Sequence, residues 1–173
     1  HSADVSETIN NAKKFGINSK GYSVNFRKVT ERASKTVDKD ARNIEKAIIR
    51  NKRTTLFKTE GKFIGNKVLQ VGNKKIKGDK IFIGAGTRAF IPPIEGLDSV
   101  DYMTSTEALR LVKQPKSLTI IGGGYISAEL AHFFGALGTK VNIIQRSKLL
   151  IPNEDNEIST KFTKIFSGKY NVH

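Results

Sequence analysis

Apolar positions in the first third of the chain recur at helical spacing. Val29, Ala33, Val37, Ala41, Ile44 and Ile48 follow one another every three or four residues with charged residues between them, which predicts a helix over about 26–51. A shorter helix is expected over 2–15, with Ser2 or Asp4 as cap, Val5, Ile9 and Ala12 on one side, and Gly16 as the stop. Residues 22–26 read as extended. The period then shortens to that of strands. Segments 54–59, 62–64, 67–71 and 74–76 are separated by Glu60-Gly61, Gly65-Asn66 and Gly72-Asn73, turn signals that suit an antiparallel meander. Lys80-Ile81-Phe82-Ile83 follows as an apolar stretch expected to be a buried strand, ending in Gly84-Ala85-Gly86-Thr87. Residues 89–115 read as a connector with a helix over 105–112, capped by Thr104 or Ser105 with Glu107 in its first turn.

A second unit begins at Lys116. An apolar strand over 117–121 runs into Gly122-Gly123-Gly124, which opens a helix from Tyr125 to about Leu137, with Gly138 placed to end it. A strand over 141–144, a helix over 155–166 and a strand-like 170–172 complete the chain. The expected fold class is therefore α/β, made of parts of two Rossmann-like three-layer domains with an antiparallel meander in the first. The pattern suggests an internal piece of a longer protein. Apolar faces that should meet further strands are then expected to be exposed, and stability in isolation is expected to be low.

The strand, glycine turn and helix carry the chemistry. Such a turn aims backbone N–H groups and a helix N-terminus at a pyrophosphate. In Gly122-x-Gly124-x-x-Ser127 the first glycine makes the turn and the second lets backbone approach phosphate, while Ser127 stands where Gly or Ala is usual. The alternative is a structural glycine turn, but the strand before, the helix after and the second strand favour dinucleotide binding. About 20 residues on, where an acid would meet an adenosine ribose, stand Gln145 and Arg146. A neutral amide beside an arginine fork leans toward a 2′-phosphate, hence NADPH over NADH; otherwise Arg146 is an ordinary surface residue.

Composition narrows the field. The chain has no cysteine, which excludes a disulfide framework and thiolate metal sites and suits a reducing cytoplasm, and its three histidines have no metal-ligand spacing. No apolar run approaches the roughly 20 residues of a membrane span, and no signal peptide is evident. Charge is uneven. Residues 13–80 hold 20 of the 30 Lys and Arg but 6 of the 16 Asp and Glu, a net +14, while the remainder is neutral. That leaves open a nucleotide- or nucleic-acid-binding module working without flavin, although a solvated basic face is the plainer reading and nucleic acid is not the expected partner.

Two stretches carry a family resemblance. Ile120–Glu129 with Ala131–Gly138, and upstream Asp79–Arg88 with Ile91–Gly96, resemble the nicotinamide segment and the second flavin signature of the FAD-dependent pyridine nucleotide-disulfide oxidoreductases, in their dihydrolipoamide dehydrogenase and mycothione reductase-like branch. Residues 1–17 are similar to the segment after that family's redox-active cysteine pair. The resemblance implies a partial FAD-binding domain over 1–92, a connector over 93–115 and the first half of an NAD(P)-binding domain over 116–173. It implies that Ala85, Gly86 and Thr87 lie against FAD and that Lys62 and Phe63 offer backbone to its adenine. It further implies that Gly122, Gly124, Tyr125, Ile126, Glu129, Gln145 and Arg146 meet NAD(P)H, Tyr125 as a gate over the flavin and Glu129 as an acid near the nicotinamide. Packing of Tyr125 on the connector is the alternative. The parent enzyme would pass a hydride from NAD(P)H to FAD and on to a small-molecule or protein-bound disulfide, as a cytoplasmic homodimer. With no cysteine, this stretch cannot itself run dithiol chemistry, and no covalent catalytic residue is expected in it.

Overall fold

The computed structural model describes residues 1–173, which fall into two units, 35–96 and 1–34 together with 97–173. The larger unit is built on a parallel sheet of β4 (Ser117–Ile121), β5 (Lys140–Ile144) and β6 (Asn171–Val172) in that order, with α4 (Tyr125–Ala136) and α5 (Asn156–Ser167) as the crossovers. Register explains which residues point inward. Ser117 lies opposite Lys140 and Ile120 opposite Ile143, so Leu118, Ile120, Val141, Ile143 and Val172 share one face. That face meets Ala131, Phe134 and Leu137 of α4 and Phe162 and Phe166 of α5 in the core. The other face carries Ser117, Thr119, Asn142 and Asn171 beside exposed Ile121 and Ile144: the Asn142 amide lies 3.4 Å from Ser117 Oγ and 3.5 Å from Thr119 Oγ1, and Asn171 donates to Asn142 Oδ1 at 2.9 Å.

Phe134 is fully buried at the centre of the core, with the Phe133 ring 5.0 Å away and the Phe26 ring at 5.9 Å. Phe26 opens α2 (Phe26–Arg50), and residues 17–25 before it have no regular structure. Near the N-terminus, α1 (Ser2–Asn11) runs into a 3-10 turn over Ala12–Phe15, and Gly16 ends it in the left-handed region. Two details of α1 differ from expectation. His1 occupies the cap position without a side-chain bond, and the buried residues are Ala3 and Ser6, while Val5 is 59% exposed. The small side chains let α1 approach α4 closely, and Ser6 Oγ donates to the Ala136 carbonyl at 2.5 Å while also meeting the Tyr22 hydroxyl.

A polar cluster joins α1 to α4 and to the turn between α5 and β6. Lys169 Nζ donates to Glu7 Oε1 at 2.7 Å, and His132 Nε2 lies 2.9 Å from Asp4 Oδ1. The hydrogen bond from Lys169 holds the Glu7 carboxyl below its ordinary value, and the same bond raises the Lys169 ammonium. The lowered carboxyl stabilises the fold above its unfolded value near 4.5, and this is lost as pH falls through the folded value. The raised ammonium stabilises below 10.5, and this is lost as pH rises through the folded value. Glu7→Gln is expected to cost less than about 1 kcal/mol at pH 7, since both partners are partly exposed. The difference from the unaltered chain should shrink toward zero in thermal melts taken from pH 7 down to pH 3.

In the other unit, β1 (Gly61–Gly65), β2 (Val68–Val71) and β3 (Lys74–Lys77) form the expected antiparallel meander, with a register irregularity between Phe63 and Gly65. Two expected strands do not form. Residues 54–59 and 80–83 have no ladder partner, and a strand without one gains nothing from its β-propensity. Phe82 is instead 91% exposed, and Ile83, Phe90 and the α2 residues Val37, Ile44 and Ile49 are exposed as well. The helix α3 (Ser105–Ala108) is also shorter than the expected 105–112. Thr104 caps it with the expected box, its hydroxyl accepting from the Thr106 N–H while Glu107 Oε2 accepts from the Thr104 N–H at 2.7 Å.

Candidate dinucleotide-binding site

The glycine turn sits where β4 ends and α4 begins. Gly122 has φ +107°, a conformation side-chain-bearing residues rarely adopt, and its N–H donates to the Ile144 carbonyl at 2.8 Å, tying the turn to the end of β5. Gly124 is the N-cap of α4, with no side-chain cap, and nothing lies within 4 Å of where its Cβ would stand. The first turn of α4 therefore presents backbone N–H groups and the positive end of the helix dipole to open space. Ser127, in the third position of the motif, is buried close to Gly122, so its small side chain serves the packing that Gly or Ala usually serves.

Tyr125 is 72% exposed at the start of α4, and Ile126 and Glu129 are exposed on the same helix. Arg146 is exposed just past β5 and enters no ion pair. Gln145 is half-buried and turned inward. Its Oε1 accepts the Gly123 N–H at 3.1 Å, and its Nε2 donates to the Leu149 carbonyl at 3.4 Å. The structure thus brings Gly122, Gly124, Tyr125 and Gln145 around one turn.

Gly123, the variable position of the motif, is the residue that sequence reasoning passed over. A Cβ there would stand 2.6 Å from Leu150 Cδ2 and 3.0 Å from Gln145 Cγ and Cδ. The available signal was that the middle residue of the triplet is itself a glycine, where the pattern leaves that place free. Leu150 and Ile151, which close over it, had none.

In the other unit, Lys62 and Phe63 lie on β1, an edge strand, and are exposed. Ala85, Gly86 and Thr87 lie in exposed chain without regular structure, Gly86 with φ +69° and open space about it. No hydrogen bond joins the two groups.

A parallel βαβ unit whose first crossover helix starts at a glycine turn has the architecture of a Rossmann-like module. The chain belongs to the pyridine nucleotide-disulphide oxidoreductase family, whose model matches residues 4–173. It is 44% identical to the mercuric reductase of Bacillus cereus over 109 residues, which is 63% of this chain and 17% of that protein. It is 30% identical to the mycothione reductase of Mycobacterium tuberculosis over 178 residues, 99% of this chain and 39% of that protein. Among solved structures, the HOCl-induced flavoprotein disulfide reductase RclA from Escherichia coli superposes with a TM-score of 0.77 at 28% identity, over 97% of this chain and 38% of that one. The chain thus spans less than two fifths of the length of these relatives.

No helix is long and apolar enough to cross a membrane, and no group of three or more His, Asp or Glu could hold a metal ion.

Proposed function

We propose that the chain supplies the NAD(P)H site of a flavoprotein disulfide reductase. The observation that carries this is the uncapped N-terminus of α4 with open space at Gly124. A pyrophosphate fits such a place: it accepts backbone N–H bonds, gains from the helix dipole and needs the room a side chain would fill. Gly122 and Gly124 shape the cradle, and Tyr125, Ile126 and Glu129 line the start of the helix on the nicotinamide side. Bound there, NAD(P)H supplies a hydride. The chain's own residues bind and orient it, and none forms a covalent bond.

Arg146 carries the lean toward NADPH, as an exposed guanidinium with no partner of its own, one residue past the amide of Gln145. Titrating NADPH and NADH into the chain tests this. Arg146→Ala is expected to weaken NADPH about tenfold and leave NADH unchanged, since an exposed phosphate–arginine pair is worth roughly 1–2 kcal/mol. Equal losses for both nucleotides would remove the NADPH assignment.

FAD is a different case. Ala85, Gly86, Thr87, Lys62 and Phe63 are exposed, with open space about Gly86, so they do not by themselves hold a flavin. In our reading they contribute backbone contacts to an FAD held by the whole protein, with 1–92 as part of its flavin domain, 93–115 as connector and 116–173 as the first half of the nicotinamide domain. The whole protein would act on a disulfide-type acceptor as a cytoplasmic homodimer, and this stretch alone would be inactive. Support comes from the family match and from the names of the relatives.

A further inference from the structure

Ile151 has φ +46°, a conformation that is rare for any residue with a side chain and rarer for a β-branched one. Pro152 follows it, and a residue before proline is pushed toward extended backbone. Strain of this kind persists only where the surroundings impose it. Here both backbone groups of Ile151 are held. Its N–H donates to the Gly123 carbonyl at 2.6 Å, and its carbonyl accepts from Ser159 Oγ at 2.8 Å and from the Glu154 N–H at 3.1 Å.

Ser159 is 1% exposed in the first turns of α5, and Thr163 stands one turn further along the same face. Thr163 Oγ1 donates to the Ser159 carbonyl at 2.7 Å and accepts from the Leu150 N–H at 2.8 Å. The two hydroxyls therefore fix consecutive backbone groups of the segment 149–151. That segment in turn fixes the glycine turn: Leu150 packs where a Cβ of Gly123 would be, Ile151 bonds the Gly123 carbonyl, and Gln145 bonds both the Gly123 N–H and the Leu149 carbonyl. With both polar groups of Gly123 occupied, the N–H groups left for a ligand are those that follow it.

We propose that Ser159 is a positioning residue for the nucleotide site, acting through the strained backbone of Ile151 to hold the middle peptide of the glycine turn. The proposal rests on the dinucleotide reading of that turn. It implies that pre-organisation of the cradle is set from α5, about 36 residues away in sequence.

The test uses the full chain with Ser159→Ala and with Ser159→Ala combined with Ile151→Gly. Glycine adopts φ +46° without strain, so the double variant no longer needs the serine to hold residue 151. By NMR-detected hydrogen exchange, Ser159→Ala should speed exchange of the Gly123 amide at least tenfold while leaving Ala131 and Phe134 in the middle of α4 unchanged. It should weaken NADPH binding about tenfold, and the double variant should recover most of both losses. Thr163→Val, which frees the Leu150 N–H, should give the same local pattern and serves if Ser159→Ala does not fold. Unchanged exchange at Gly123, a uniform rise along α4, or no recovery in the double variant would overturn the proposal. The expected exchange pattern with no NADPH binding by the unaltered chain would leave the clamp standing and overturn the dinucleotide reading.

Discussion

Gly123→Ala is expected to abolish nucleotide binding and to lower the unfolding midpoint as well. The added methyl would meet Leu150 Cδ2 at 2.6 Å and Gln145 at 3.0 Å. Leu150 is 2% exposed, so its Cδ2 has little room to turn aside, and the Gln145 amide is used at both ends. Forcing a methyl into a packed site costs about 1–3 kcal/mol, and relief would come by moving the turn itself. Gly124→Ala is the matched control. Gly124 has φ −81° and open space around it, so alanine there should change stability by less than about 0.5 kcal/mol. Its methyl would nonetheless stand where a pyrophosphate must approach, and affinity should fall at least tenfold. Melting and NADPH titration of the two variants side by side separate a packing defect from a lost cradle.

Phe134→Ala should give the largest loss of stability of any single substitution in the chain, about 3–5 kcal/mol, the range for emptying a fully buried phenylalanine site. The side chain is 0% exposed and lies between Phe133 and Phe26, beneath the sheet face that carries Val141 and Ile143. These neighbours lie on α2, α4 and β5, so collapse around the cavity would have to move all three together. Net stabilities of domains are commonly 5–15 kcal/mol, and a loss of this size should leave much of the population unfolded near 37 °C. Circular dichroism melts of Phe134→Ala and Phe134→Leu check it, the leucine variant being expected to lose less than half as much.

What the sequence disclosed, and what it withheld, follows from how local each signal is. The run from Ser117 through the glycine turn to Ile144 was legible because its apolar strand, its glycines, its helix and its second strand lie within about thirty residues, and each agrees with the next. The meander was legible from its turns. Residues 54–59 and 80–83 misled because an apolar or β-branched run says only that a strand would be favourable if partners were present, and this chain supplies none. At α1 the apolar positions pointed to Val5, while close helix approach selected Ala3 and Ser6, a preference that becomes visible only with the neighbouring helix in place. Ile151 and Ser159 could not have been found at all. A proline after Ile151 argues against the conformation it adopts, and a serine inside a helix carries no sign of what it bonds.

The central claim is that the turn at Gly122–Gly124 and the start of α4 bind a nicotinamide dinucleotide through its pyrophosphate. Isothermal titration of NADPH into the full 173-residue chain and into its Gly124→Ala variant tests this most directly. The account predicts one site on the unaltered chain and at least tenfold weaker binding by the variant, at an unchanged unfolding midpoint. No binding by the unaltered chain, or equal binding by both, would contradict it.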